Sequence, residues 1–109
     1  MSNDVDIPGP GHVLIVTGSV TARPDSFEAL RRAALDHTLR SRTEPGCLTH
    51  SVHVDAEEPL RLFFYEEWAD RAALDVHFVQ AGSQAFMGAV RELSASSTRV
   101  RILPVEDRS

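Results

Sequence analysis

Lysine is missing from this chain: all 11 basic residues are arginine. That absence excludes a side-chain Schiff base, a lysine-held pyridoxal cofactor and a lysine general base. Cysteine is nearly missing too. A lone Cys47 cannot close an internal disulfide or build an iron–sulfur or zinc-finger site, and a reducing cytoplasm is the expected setting. Long apolar runs are also lacking. Val13–Val16 is the longest clean stretch near the N-terminus, far too short to span a bilayer. The acidic Met1–Asp6 segment has no apolar stretch behind it, so no signal peptide is expected. Positive charge is in deficit, with a net charge of −5, which argues against a surface that tracks nucleic-acid phosphates. There is no glycine-rich phosphate loop, no dinucleotide fingerprint after the first strand and no metalloprotease helix. The expected cofactor is therefore none.

What is present is ordinary for a globular domain. The 109 residues are 42% hydrophobic and 25% charged, enough for a single core but small enough that a partner can be needed to bury the rest. Residues 1–11, with Pro8, Gly9, Pro10 and Gly11, read as a loose arm, residues 12–105 as the domain and 106–109 as a tail.

The apolar, β-branched segment 12–21 predicts a strand. Pro24 to Glu28 predicts a helix start with Asp25 and Glu28 as a capping pair. The helix reaches about Arg42 and carries a stripe of Phe27, Leu30, Ala34 and His37. Glu44-Pro45-Gly46 ends it. Strands over 47–55 and 60–68 form a hairpin. Asp70 caps a short helix that Gly82 breaks, a second helix runs to about Leu93, Ser94–Ser97 is a polar linker, and 98–105 is the last strand. The order β-α-β-β-α-β, with the second crossover split in two, predicts an α+β ferredoxin-like fold: a four-stranded antiparallel sheet with helices on one face.

Neither sheet face reads as polar. Leu62, Phe64 and Trp68 share one parity of the third strand, while Phe63 and Tyr65 share the other; Leu14 and Val16 oppose Val13 and Ile15. The helices cover one face, so the other is expected to meet a second copy of the chain, as a homodimer.

Three pieces carry a resemblance. They are Arg42-Thr43-Glu44-Pro45-Gly46-Cys47-Leu48 after the first helix, Glu66-Glu67-Trp68-Ala69-Asp70 closing the third strand, and Ala72 to Phe78 in the next helix. In this order, across residues 12–105, they resemble the antibiotic biosynthesis monooxygenase (ABM) family. The resemblance implies a dimeric α+β barrel in which each sheet walls a cavity. It also implies one of several chemistries: cofactor-independent oxygenation of aromatic phenols, quinol oxidation, haem degradation or isomerisation of small sugars. A second histidine, often found about five residues after the helix histidine in the family, falls at Gly82. The haem-degrading branch needs a first-strand asparagine and a later helical histidine, but Asn3 is the only asparagine and nothing follows His77; that branch is disfavoured.

On this footing His77 is the leading candidate for catalysis, since imidazole can take a proton from a phenol near neutral pH; its competing reading is a helix histidine bound to a carbonyl. Glu66 is the second candidate, as a carboxyl whose pKa aromatic neighbours raise, or else as an arginine partner. Trp68, Phe64, Tyr65 and His50 are candidates for binding the substrate ring, with Trp68 reading first as core and Tyr65 equally as a satisfied structural tyrosine. His50 and His53 lie on opposite parities and cannot share a metal without a bulge. His37 reads as core-edge, and Cys47 as a small buried residue and not a nucleophile. The expected reaction is oxidation of a small phenol, anthrone or quinol by O₂ in an apolar cavity. The alternatives are an isomerase on a polar substrate, for which Arg61 and Arg101 would reach the cavity, and a module that binds a small ligand without turnover.

Overall fold

The computed structural model describes residues 12–106, so the expected arm at 1–11 and residues 107–109 of the expected tail lie outside the described residues. Strands β1 (His12–Ala22), β2 (Cys47–Val54), β3 (Arg61–Trp68), β4 (Ser94–Ser97) and β5 (Arg101–Glu106) form one antiparallel sheet. Its order is β2-β3-β1-β4, with β5 on the same edge of β1 as β4. Helices α1 (Phe27–Ser41), α2 (Arg71–Val79) and α3 (Ala81–Leu93) complete the expected α+β, ferredoxin-like arrangement. No helix among the described residues is long and apolar enough to cross a membrane.

The sheet has five strands and not four. The last strand is broken at residues 98–100, and the serine run read as a linker is its first half, paired to Val20, Thr21 and Ala22 of β1. Thr98 makes the break by bonding sideways: its Oγ1 accepts from the Ser19 amide at 2.9 Å. Two helix signals also differ from expectation. The first helix starts at Phe27 with Ser26 at its N-cap position and no side-chain cap bond. Asp25 stands outside the turn and pairs with Arg23 at 3.5 Å, while Glu28 pairs with Arg31. The α2–α3 break falls at Gln80, which is extended (φ −62°, ψ 144°), and not at Gly82. Asp70 does cap α2, its carboxylate accepting from the Ala73 amide at 2.8 Å.

Two apolar clusters hold the helices to one sheet face. Val20, Leu62 and Phe64 pack with Leu30 and Ala34 of α1 and Val90 of α3. Leu14, Val16 and Trp68 pack with Leu74 of α2. Each fully buried leucine here contributes about 1.5–3 kcal/mol of transfer free energy. Along β3 the buried positions run Leu62, Phe64, Glu66, Trp68, so a carboxylate lies between the two clusters. That gap is where the polar site sits.

The opposite face is mixed. It carries Ile15, Phe63, Tyr65 and Leu103 beside Thr17, Ser51 and Glu67, and Phe63 is 40% and Leu103 38% exposed.

Candidate active site

Five side chains meet between the clusters: His37 of α1, His50 of β2, Glu66 and Trp68 of β3, and His77 of α2. His50 reaches the helix-covered face because β2 carries a bulge between Cys47 and Thr49, which sends Leu48 outward and returns Cys47 and His50 to one side. His53 points the other way, exposed, beside Ser51 at 2.9 Å. The opposite parities of the two histidines are as expected.

His77 is buried at the cavity wall, and its Nδ1 lies 2.8 Å from Glu44 Oε1. Glu44 arrives there through the turn after α1. Gly46 adopts φ 84°, and a Cβ on it would lie 2.4 Å from the Ala73 side chain, so only glycine lets this turn sit on α2. A carboxylate only accepts, so Nδ1 carries a proton, and in the neutral ring Nε2 keeps its lone pair. The ring also lies 4.5 Å from Trp68, centroid to centroid.

Glu66 is nearly buried, with Trp68 Nε1 donating to its Oε1 at 2.8 Å. His50 Nε2 lies 3.3 Å from the other oxygen. That contact is close but poorly aligned, since neither His50 ring nitrogen has a well-formed hydrogen bond. Burial pushes the Glu66 carboxyl up, but His50, Trp68 and the field of His77 outweigh it and hold the group below the ordinary carboxylate range. This is opposite in sign to the raised pKa expected from its aromatic neighbours.

His37, read from sequence as core-edge, is central. It stacks on Phe86 at 4.5 Å, and Arg40 Nη2 lies 2.7 Å from its Nδ1. Burial, then the neighbouring imidazoles and Arg40, lower its pKa to about 3. Arg40 occupies the space beside Gly82: a Cβ there would lie 2.1 Å from the guanidinium Nε. The glycine leaves room for this placement of the arginine, and the helix break falls at Gln80.

The cavity measures about 150 Å³ and lies between the sheet and the chain's own helices. His37, Glu66, His77 and Ser83 form the polar wall at one end and Thr17, Ser19, Ser97 and Thr98 line the strand side with Gly18; Val20, Phe64, Phe86 and Val90 supply much of the apolar wall. The chamber expected between sheet and partner is instead a half-open cavity between the sheet and the helices of the same chain. Of the predicted ring-binding residues, Phe64 lines it. Trp68 is fully buried behind it as a support for Glu66 and His77, and His50 is buried beside Glu66. Tyr65 is on the opposite face, its hydroxyl donating to Glu67 Oε2 at 2.6 Å. Arg61 and Arg101 are exposed and do not line the cavity; Arg61 pairs with Asp55 at 3.4 Å. Cys47 is no nucleophile, its thiol pushed up to about 11 by burial and then by Glu66 and Glu44.

One ring nitrogen from each of His37, His50 and His77 lies within 4.8 Å of the others. Ligands at zinc-like bond lengths stand about 3.4 Å apart around a tetrahedral ion, so the rings would have to close in. Arg40 adds a chemical obstacle. A guanidinium only donates, so His37 Nδ1 accepts and Nε2 carries the proton. The trio offers a metal fewer inward lone pairs than its count of histidines implies.

The sequence profile of the antibiotic biosynthesis monooxygenase family matches residues 13–89. The chain belongs to that family. Solved structures agree with the fold: a Mycobacterium tuberculosis protein shares 26% identity at TM-score 0.80, covering 89% of this chain and 99% of that one. A Pseudomonas aeruginosa protein shares 28% identity at TM-score 0.74, covering 89% and 95%. An uncharacterised Synechocystis protein is 29% identical over 102 residues, 94% of this chain and 69% of that protein. In this ABM protein the matched span includes β1 from its second residue, all of α1 to α2 and most of α3, and thus every residue of the histidine cluster.

Proposed function

We propose that this ABM protein is a cofactor-independent monooxygenase that oxidises a single-ring phenol or quinol with O₂. The Glu44–His77 pair, set at the edge of a largely apolar chamber, carries the reading. The size of the chamber narrows the substrate. A cavity of about 150 Å³ holds one ring within its walls, whereas the fused rings of an anthrone would extend through its open side. His77 Nε2 removes the phenolic proton, with Glu44 stabilising the imidazolium. The phenolate then passes an electron to O₂, and the radical pair combines at a ring carbon. Loss of water leaves a quinone, so one oxygen atom of O₂ ends in the product and the other in water. Glu66 stays a carboxylate and holds Trp68 behind His77. The apolar wall keeps water from the radical pair. The isomerase alternative loses its motivation, because Arg61 and Arg101 lie away from the cavity. A second copy is proposed to cover the mixed sheet face around Phe63 and Leu103.

Oxygen uptake by metal-depleted protein tests this with a panel of monocyclic phenols, hydroquinones and larger anthrones. Uptake should favour the one-ring compounds and fall at least about 100-fold in His77→Gln, the scale of a lost general base. No uptake with any compound, or an unaffected His77→Gln, would end the proposal.

A further inference from the structure

We infer that His37, oriented by Arg40, is the hydrogen-bond donor that receives the oxyanion formed when His77 takes the substrate's proton, so that one phenolic oxygen is held between the two rings. The inference rests on reading the cavity as a phenol site. It concerns a residue and a role that the sequence did not indicate.

The two rings are tied from outside by groups of opposite character. Arg40 Nη2 lies 2.7 Å from His37 Nδ1. Guanidinium nitrogens have protons and no lone pair to offer, so His37 Nδ1 is the acceptor and the neutral ring carries its proton on Nε2. Glu44 Oε1 lies 2.8 Å from His77 Nδ1. The carboxylate has lone pairs and no proton, so His77 carries its proton on Nδ1 and presents a bare Nε2. Both rings line the same cavity. One is fixed as a donor and the other as an acceptor.

Their spacing suits one bridging atom. A ring nitrogen of each lies within 4.8 Å of the other. An oxygen at an ordinary hydrogen-bond length of about 2.8 Å from two nitrogens spans up to about 5.6 Å between them. Two rings this close can both reach a single oxygen. Before transfer the phenol O–H donates to His77 while its lone pair accepts from His37. After transfer the anion keeps the His37 bond and gains one from protonated His77.

The arrangement is built to last. His37 is clamped by Phe86 at 4.5 Å. Arg40 sits where any side chain at residue 82 would have to go. Burial and its cationic neighbours keep His37 neutral down to about pH 3, so it does not compete with His77 for the proton. Arg40 is a positioning residue in this scheme, since it acts through His37.

Two measurements test the inference without the natural substrate. The ¹⁵N shifts of labelled histidine should show His37 as the Nε2–H tautomer, and Arg40→Met should turn it into a tautomer mixture. Second, 4-nitrophenol should bind as its coloured phenolate. His37→Leu should weaken that binding about ten- to hundredfold, the scale of one lost hydrogen bond to a charge, and His37→Gln, which keeps an N–H donor, should retain most of it. An Nδ1–H tautomer at His37 overturns the inference, as does undiminished phenolate binding in a folded His37→Leu. Should that variant not fold, the tautomer in the unaltered protein decides. Phenolate held in this way by a protein that consumes no O₂ would support the inference while removing the oxygenase.

Discussion

Three of the five histidines end in one buried patch, and each has its own polar neighbour: Arg40 beside His37, Glu66 beside His50, Glu44 beside His77. Burying such a group has a cost that depends on pH. His37 falls from the ordinary 6.5 to about 3 on folding. Between those values the unfolded chain binds a proton that the folded chain refuses. The stability is therefore fully present above about pH 6.5 and drains away as the pH falls toward 3, by several kcal/mol at most. Glu66, held below its ordinary 4.5, adds loss of the same sign in the more acid range. Urea melts at about pH 7 and about pH 4.5 should show this slope, and His37→Gln should flatten it. Among these residues, His77 was a candidate in the sequence through the resemblance, and Glu66 and Phe64 through their shared strand face. Arg40, Glu44 and the role of His37 were not. His37 falls on an apolar helical stripe, where a buried polar ring and a core residue leave the same mark. Glu44 reads as part of a turn, and only the fold brings it to a residue 33 positions away.

Among the elements, α2 matters most, because it is a short helix that carries His77. Its Asp70 cap was legible, and removing it with Asp70→Ala should cost about 1 kcal/mol, seen as a drop of several degrees in Tm. The same variant should loosen His77 against Glu44. The long helix, the hairpin and the first strand follow from their periods of 3.6 and 2, and the structure has them where expected. Three features escaped that reading for one reason: each depends on a neighbour elsewhere in the chain. The bulge at Cys47–Thr49 is a matter of register against β3. The break in the last strand depends on Thr98 meeting Ser19. Gly82 reads as a breaker until Arg40 is seen filling its place.

Across the whole molecule, the helix-covered face and the open face have separate tasks. The cavity belongs to the first, so a second copy on the other would stabilise the sheet without completing the chamber. Sedimentation equilibrium should give a dimer, and Phe63→Glu, which puts a charge on that face, should shift it toward monomer. A chain that is monomeric at micromolar concentration would refute the pairing yet leave the site assignments standing. The family and its α+β layout were legible from sequence. The side of the sheet that holds the cavity was not, because both parities of β3 carry aromatic residues.

Gly18 lies opposite Phe64 in the sheet and on the cavity surface. A methyl group there would meet Val100 no closer than 3.7 Å, an ordinary contact. Room for the guest and chemistry upon it are thus governed by different positions. A lineage could trim the guest it admits by placing a side chain at residue 18 alone, while the imidazoles and their anchors remain as they are.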